Sequence, residues 1–174
     1  MDVYILRHGK AGQHVPGEND SLRALTEKGR EEIKGISEWM VSREIFFDII
    51  ATSPLLRATE TAKIVAEGLG QEKNLETWSS LTIGGDPGTI CRRIADKSEE
   101  SSLLLVGHEP ALSSLISLII SGDTGAGILL AKGGLARIRN VTNNGVGVRG
   151  ELHWLLTPKQ IMSMRSGPDK KDRT

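Results

Sequence analysis

Residues 3–9, VYILRHG, decide the fold class, because an apolar run stops there and is followed at once by an arginine, a histidine and a glycine. The run from Val3 to Leu6 is short and continuously apolar, which is typical of a strand covered on both faces of a sheet. Such strands belong to α/β proteins, in which helices pack on both sides of a mostly parallel sheet. A packed strand of this kind would hold Arg7 and His8 rigidly at its carboxyl end.

Two further apolar runs repeat this pattern, and amphipathic segments alternate with them along the chain. The buried strands are predicted at Phe46 to Ala51 and Leu103 to Val106, and the helices at Thr26 to Val41, after Ser53-Pro54, at Asp86 to Lys97 and at Pro110 to Ile120. Later strands are predicted at Ile128 to Ala131, Leu135 to Val141 and Gly150 to Leu156, before a short helix that opens at Thr157-Pro158. The last two strands form a hairpin through residues 143–145. This alternation predicts a three-layer α/β/α sandwich with a mixed, mainly parallel central sheet.

Length and charge limit the domain organisation and the partners. The chain has 174 residues, which suits one domain, predicted over residues 1–165. The stretch from Ser166 to Thr174 is charged, and we expect it to be a disordered tail. The 22 basic and 22 acidic residues balance, whereas dedicated nucleic-acid binders usually carry a basic excess. We therefore predict no nucleic-acid partner.

Cysteine use and hydropathy indicate the compartment. Cys91 is the only cysteine, so no intramolecular disulfide can form, which fits a reducing environment. No basic, apolar leader precedes the first strand, and no apolar run reaches the roughly 18–20 residues that span a bilayer. These features predict a cytoplasmic protein with no signal peptide and no membrane segment.

Cationic side chains follow the three buried strands. The first strand ends at Arg7 and His8, the third runs into His108, and the helix after the second strand carries Arg57. Because the carboxyl ends of parallel strands meet along one edge of a sheet, where α/β proteins bind ligands, we expect these side chains to converge. Taken singly, each would be read as a surface ion-pair partner or a structural histidine. Together, two guanidiniums and two imidazoles predict a site for a dianion, most naturally a phosphoryl group. Gly9 omits a side chain there, which would let phosphate approach the backbone closely.

The segments at these strand ends resemble a known family. They are LRHGKA (residues 6–11), SPLLRATETA (53–62) and LLLVGHEP (103–110), and in this order they resemble the histidine phosphatase superfamily, also called phosphoglycerate mutase-like. The compact size and the segment SLRALTEKG (21–29) are similar to the small bacterial phosphohistidine phosphatases. The resemblance covers nearly the whole chain. It implies a phosphoglycerate mutase-like fold and the removal of phosphate from histidine-containing phosphotransfer proteins.

The resemblance implies a role for each residue of the predicted site. His8 is the catalytic nucleophile, which attacks phosphorus and forms a phosphohistidine intermediate that water hydrolyses. Arg7 and Arg57 disfavour a further positive charge and so help to keep His8 neutral. Arg7, Arg57 and His108 bind the phosphoryl oxygens, with His108 expected to act as a protonated donor. Arg23 is predicted to face the same crevice.

Two features leave alternatives open. The hydroxyl of Ser53 can either donate to the substrate or cap the helix that follows it. The segment SLTIGGDP (80–87) lacks the acid with which most relatives protonate a leaving oxygen, but a phosphorylated imidazole leaves more readily, because its ring nitrogen can carry the proton beforehand. Asp86 and Glu109 are the remaining candidates for an acid. We interpret Asp86 as a helix cap and Glu109 as a favourable negative charge at a helix start.

We therefore predict a phosphohistidine phosphatase that acts on a phosphohistidine-containing protein, such as a phosphotransfer domain, with no metal and no cofactor. A phosphatase of a small-molecule phosphomonoester is the first alternative, and it would need an acid. A non-catalytic phosphohistidine-binding module is the second, and the complete set of four site residues argues against it.

Overall fold

The computed structural model describes residues 1–145 and 147–165, within which six strands form one sheet. The strands are β1 (Asp2–Arg7), β2 (Ile49–Thr52), β3 (Leu75–Thr77), β4 (Ser102–Gly107), β5 (Leu135–Asn143) and β6 (Val148–Leu156). In the order β3-β2-β4-β1-β5-β6, the first four are parallel, and β5 and β6 are antiparallel to their neighbours. The predicted mixed, mainly parallel sheet is confirmed. The tail predicted at Ser166 to Thr174 lies outside the described residues.

Helices cover both faces of the sheet. They are α1 (Glu27–Ser42), α2 (Leu56–Leu69), α3 (Pro87–Ala95), α4 (Ala111–Ser121) and α5 (Pro158–Arg165). Helices α1, α2 and α5 enclose one apolar core with the sheet, and α3 and α4 enclose the other. The predicted three-layer α/β/α arrangement is therefore confirmed. Among the described residues, no helix combines the length and the apolar character needed to cross a membrane.

Strand β1 shows why the apolar runs are continuous. Val3 and Ile5 face the core beneath α3 and α4, whereas Tyr4 and Leu6 face the core beneath α1 and α2. All four side chains are buried, because successive residues of a strand point to opposite faces and both faces are covered. Packing on both sides holds the carboxyl end of β1 in one position.

Strand β2 begins later than predicted, at Ile49 and not at Phe46. The reason is that the side chain of Gln71 forms hydrogen bonds with both the amide and the carbonyl of Phe47. The Phe47 amide donates to Gln71 Oε1 at 3.0 Å, and Gln71 Nε2 donates to the Phe47 carbonyl at 2.8 Å. Backbone groups that are paired in this way cannot join the sheet. The short edge strand β3 was not predicted.

The strand predicted at Ile128 to Ala131 is wrong, because this segment joins no sheet. Its backbone serves other contacts. The Leu130 carbonyl accepts a hydrogen bond from Arg7 Nη1 at 2.9 Å, and the Ala131 carbonyl accepts one from the Gly134 amide at 2.7 Å. The segment is therefore a support for the end of β1.

The predicted hairpin is confirmed, and it extends further than the apolar pattern indicated. Strands β5 and β6 pair from Leu135 opposite Leu156 to Asn143 opposite Val148. Gly145 in the connection has a φ of 82°, a left-handed conformation that glycine adopts without the strain of a side chain.

Candidate active site

The two histidines lie side by side at the carboxyl edge of the sheet. Strands β1 and β4 are parallel neighbours with Arg7 opposite Gly107, so His8 and His108 follow at the same level. The His8 amide donates to the Gly107 carbonyl at 3.1 Å, and the two imidazole centroids are 5.0 Å apart. Both side chains are almost fully buried. The sheet register thus builds a fixed pair of imidazoles.

His8 has one ring nitrogen free to act as a nucleophile. Its Nδ1 lies 2.7 Å from the Gly9 carbonyl oxygen, which can only accept, so Nδ1 carries the hydrogen and Nε2 carries the lone pair. Burial lowers the pKa of His8 from its ordinary value of 6.5 to about 4; the hydrogen bond to Gly9 opposes this shift, and the charges of Arg57, Arg7 and Lys132 add to it. The imidazole is therefore neutral at neutral pH.

Ser53 holds one ring nitrogen of His108. The Ser53 Oγ lies 2.8 Å from His108 Nε2 and accepts a hydrogen bond from the Leu55 amide at 3.3 Å. Within the described residues, Nε2 is the acceptor available to the Ser53 hydroxyl hydrogen, so we assign the ring hydrogen to Nδ1. Burial, followed by the charges of His8 and Arg57, lowers the pKa of His108 to about 3. His108 is therefore neutral at neutral pH when no phosphoryl group is bound, and the neutral ring can donate through Nδ1. Its expected protonation in a phosphoryl complex stays a prediction.

Ser53 does not cap the helix that follows it. Helix α2 begins at Leu56, and Leu55 occupies the capping position without a side-chain hydrogen bond. The prediction of Ser53 and Pro54 as the helix start is wrong. The hydroxyl is held instead by His108 and the Leu55 amide, so Ser53 contributes to the site by orienting an imidazole.

Both arginines present a buried nitrogen that has no partner. Arg7 Nη1 donates to the Leu130 carbonyl, while the two Nη atoms of Arg57 donate to Asp20. Within the described part of the chain, Arg7 Nε, Arg57 Nε and His108 Nδ1 are buried without a hydrogen-bond partner. Each such donor costs about 1–3 kcal/mol when it stays unpaired. Their arrangement around His8, whose pKa both guanidiniums lower, suits a bound oxyanion.

Gly9 packs closely against α1, which is a second reason for a glycine besides the predicted approach of phosphate. A Cβ built on it would lie 2.9 Å from Ile33 Cγ1 and 3.2 Å from the Gly29 carbonyl oxygen, both on α1. The Gly9 amide donates to Thr61 Oγ1 at 3.1 Å, and that hydroxyl donates to the Arg57 carbonyl at 2.7 Å. Close packing on α1 therefore requires the glycine. The Thr61 hydroxyl joins the segment that carries His8 to the segment that carries Arg57.

Arg23 reaches the site through Asp20. Arg23 Nε donates to Asp20 Oδ1 at 2.8 Å, and Arg23 Nη1 donates to the Gly12 carbonyl at 3.1 Å. Asp20 in turn binds the buried guanidinium of Arg57. No local sequence pattern indicates a function for Asp20, because a pattern of neighbouring residues does not show a partner in another helix.

Lys132 is a second residue that the sequence analysis missed. The amide of the next residue, Gly133, donates to the carbonyls of both Arg7 and His8 at 3.1 Å. Lys132 is exposed, and its charge helps to lower the pKa of His8. Because a strand was wrongly predicted just before Lys132, the sequence did not show that Lys132 lies near His8.

Asp86 and Glu109, the carboxylates proposed as acids, each accept hydrogen bonds, although Glu109 Oε1 is buried without a partner among the described residues. Asp86 accepts the amides of Gly88 and Thr89 at 3.2 and 2.8 Å, so it caps α3 as interpreted from the sequence. Glu109 Oε2 accepts the hydroxyl of Ser113 at 2.6 Å. Hydrogen bonding to Thr89 lowers the pKa of Asp86. These contacts give no support to Asp86 as a proton donor.

Acidification from about pH 7 to about pH 4.5 is expected to lower the free energy of unfolding. An imidazole of the unfolded chain binds a proton near its ordinary pKa of 6.5, whereas His8 and His108 in the folded protein bind one only near pKa values of about 4 and about 3. Protons therefore favour the unfolded state, and the stability from these neutral rings is complete above pH 6.5 and is lost as the pH falls toward 4. Urea unfolding of the wild type, His8→Gln and His108→Gln at both pH values checks this: each variant should lose less stability than the wild type, and equal losses would contradict the assignment.

Comparison with known proteins agrees with this geometry. Residues 3–82 match the histidine phosphatase superfamily (branch 1). An uncharacterized protein of Picosynechococcus sp. is 33% identical over an alignment of 172 positions that covers 93% of this chain and 99% of that protein. The phosphohistidine phosphatase SixA of Escherichia coli is 29% identical over 126 residues, which make up 71% of this chain and 77% of that protein.

The chain belongs to the histidine phosphatase superfamily. The solved structure of the protein histidine phosphatase SixA complexed with tungstate superimposes with a TM-score of 0.81 at 25% identity, covering 91% of this chain and 98% of that chain. The predicted resemblance to the small phosphohistidine phosphatases and the phosphoglycerate mutase-like fold are confirmed. Membership of this superfamily supports phosphatase activity, that is, hydrolysis of a phosphoryl group.

Proposed function

We propose that this protein is a phosphohistidine phosphatase that removes the phosphoryl group from a phosphohistidine side chain of another protein, such as a phosphotransfer domain. The observation that carries the proposal is the state of Asp20, whose carboxylate binds the Arg57 guanidinium. Asp20 lies between two guanidiniums, and the hydrogen bond from Arg23, aided by Arg57, lowers its pKa. A carboxylate held in this way cannot protonate a leaving alkoxide. A substrate whose leaving group brings its own proton therefore fits best.

The first step transfers the phosphoryl group to His8. The lone pair on Nε2 attacks phosphorus, a new P–N bond forms, and the P–N bond to the substrate ring breaks. The electron pair of the broken bond goes to the substrate nitrogen. Because the other nitrogen of that ring already carries a hydrogen, the substrate leaves as a neutral imidazole.

Three donors stabilise the charge that is spread over the phosphoryl oxygens. The side chains of Arg7, Arg57 and His108 each present a buried nitrogen without a partner among the described residues. Donors that are fixed before the reaction stabilise the transition state without a cost of reorientation. Burial of the two histidines lowers the local dielectric constant, which strengthens these charge interactions.

The second step hydrolyses the phosphorylated His8. Water attacks phosphorus, the P–Nε2 bond breaks, and its electron pair returns to Nε2. Nδ1 keeps its hydrogen on the Gly9 carbonyl throughout, so His8 leaves as a neutral imidazole, and the proton lost by water goes to the phosphate product. Neither step requires an acid from the enzyme.

A phosphorylated histidine phosphotransfer protein should release phosphate faster than a sugar phosphate or glycerol phosphate does at equal concentration. The physical reason is that the P–N substrate supplies a leaving group that needs no enzymic acid. Measuring kcat/KM for the three substrates, with and without chelator, tests the proposal, and chelator is expected to have no effect. Preference for the esters would favour the small-molecule phosphatase instead, and binding without phosphate release would favour the binding module.

A further inference from the structure

Asp20 binds the whole free end of the Arg57 guanidinium. Arg57 Nη1 donates to the Asp20 backbone carbonyl at 2.8 Å, and Arg57 Nη2 donates to Asp20 Oδ2 at 2.9 Å. The Arg57 side chain is only 1% exposed, while that of Asp20 is 32% exposed. Asp20, at the rim of the site, therefore holds the buried guanidinium of Arg57.

The geometry of a guanidinium leaves one edge available. It is planar and carries five N–H groups in a rigid fork. A partner that accepts one hydrogen from each Nη occupies the end of the group. The side edge then stays free, and it consists of the Nε hydrogen and the second hydrogen of the adjacent Nη. Arg57 Nε is indeed buried without a partner among residues 1–145 and 147–165. Arg57 can thus bind Asp20 at its end and an oxyanion at its side.

Charge explains why Asp20 is suited to this task. Burial, and then the charge of Arg23, lowers the pKa of Arg57, and Asp20 opposes both effects. Asp20 is itself held by Arg23, whose Nε donates to Oδ1 while its Nη1 donates to the Gly12 carbonyl. The loop that follows β1 is therefore fixed at two points around a carboxylate that neutralises the buried cation.

We propose that Asp20 is a positioning residue for the oxyanion site: it fixes the end of the Arg57 guanidinium, so that the side edge is held ready for the phosphoryl group. The inference rests on the proposed phosphoryl site and adds to it the residue that orients the arginine. A carboxylate that instead competed with phosphate for Arg57 would have the opposite effect, because its removal would strengthen oxyanion binding.

Calorimetric titration with tungstate tests this proposal without any enzyme turnover. Asp20→Ala should weaken tungstate binding about tenfold, because it removes the charge-assisted contact between Oδ2 and Arg57 Nη2 and leaves only the backbone carbonyl to hold the guanidinium. Asp20→Asn, which keeps a side-chain oxygen for Nη2, should recover part of that loss. In an Arg57→Lys background, where no bidentate contact can form, Asp20→Ala should change the affinity by less than about twofold.

The matched control is Glu60→Gln. Glu60 Oε2 accepts the Leu25 amide at 2.7 Å, and Oε1 accepts Arg30 Nη1 at 2.8 Å, so it anchors the end of the same loop without binding the Arg57 guanidinium. Its substitution should leave tungstate affinity within about twofold of the wild type. Thermal unfolding of every variant confirms that it is folded, and Asp20→Asn serves as the test variant if Asp20→Ala is not.

Three results would overturn the proposal: unchanged or tighter tungstate binding by the folded Asp20 variants, an equal loss in the Arg57→Lys background, or no tungstate binding by the wild type. Phosphate release from a phosphohistidine protein is measured separately. Tungstate binding with the expected coupling, but without phosphate release, would refute the proposed function and leave the role of Asp20 standing.

Discussion

His8→Ala is expected to reduce the turnover of a phosphohistidine protein by at least about 1,000-fold, because it removes the group that forms the covalent bond to phosphorus. We propose Nε2 of His8 as the nucleophile, since Nδ1 is held by the Gly9 carbonyl. The measurement is the initial rate of phosphate release at saturating substrate. The variant should still bind tungstate, since the arginines and His108 remain.

A trapping experiment separates this role from a structural one. Acid-free denaturation during turnover should recover phosphorylated wild-type protein, and His8→Ala should yield none. His153→Ala is the matched control, because His153 lies exposed on β6 and should leave both the rate and the phosphorylated enzyme unchanged. A phosphorylated His8→Ala protein would show that another residue is the nucleophile.

His108→Ala should lower kcat/KM by about 100- to 1,000-fold, because a preorganised donor to the phosphoryl oxygens is lost. Two shape-conserving variants show which nitrogen matters. Asparagine places its amide near the position of Nδ1, and glutamine places its amide near the position of Nε2. Since Ser53 holds Nε2 and Nδ1 is the unpaired donor, His108→Asn should retain more activity than His108→Gln.

Ser53→Ala provides the check on the tautomer. Without the hydroxyl, Nε2 can take the ring hydrogen, so the fraction of His108 with a hydrogen on Nδ1 should fall, and kcat/KM should fall by about tenfold. In His108→Asn this substitution should have little further effect, because the amide has no tautomer to set. An equal loss in both backgrounds would indicate that Ser53 acts on the substrate directly.

The strands that build the site are predictable because their signal is local. Val3 to Leu6 and Leu103 to Val106 are continuous apolar runs, and both are buried strands in the structure. The Asp86 cap is equally local, since it binds amides two and three residues along the chain. The prediction that Ser53 caps α2 is wrong because the contact that decides it is not local. The Ser53 hydroxyl binds His108, which is distant in the sequence.

The sequence by itself determined the layered α/β fold and placed Arg7, His8, Arg57 and His108 after strands, because apolar periodicity depends on residues close together in the chain. The pairing of β1 and β2 with β4, which brings these residues to one edge of the sheet, is a tertiary contact. The tertiary structure alone decided how these groups are held. Asp20 binds Arg57 across 37 residues of sequence, and such a hydrogen bond depends on the path of a loop over a helix, which no spacing of neighbouring residues encodes.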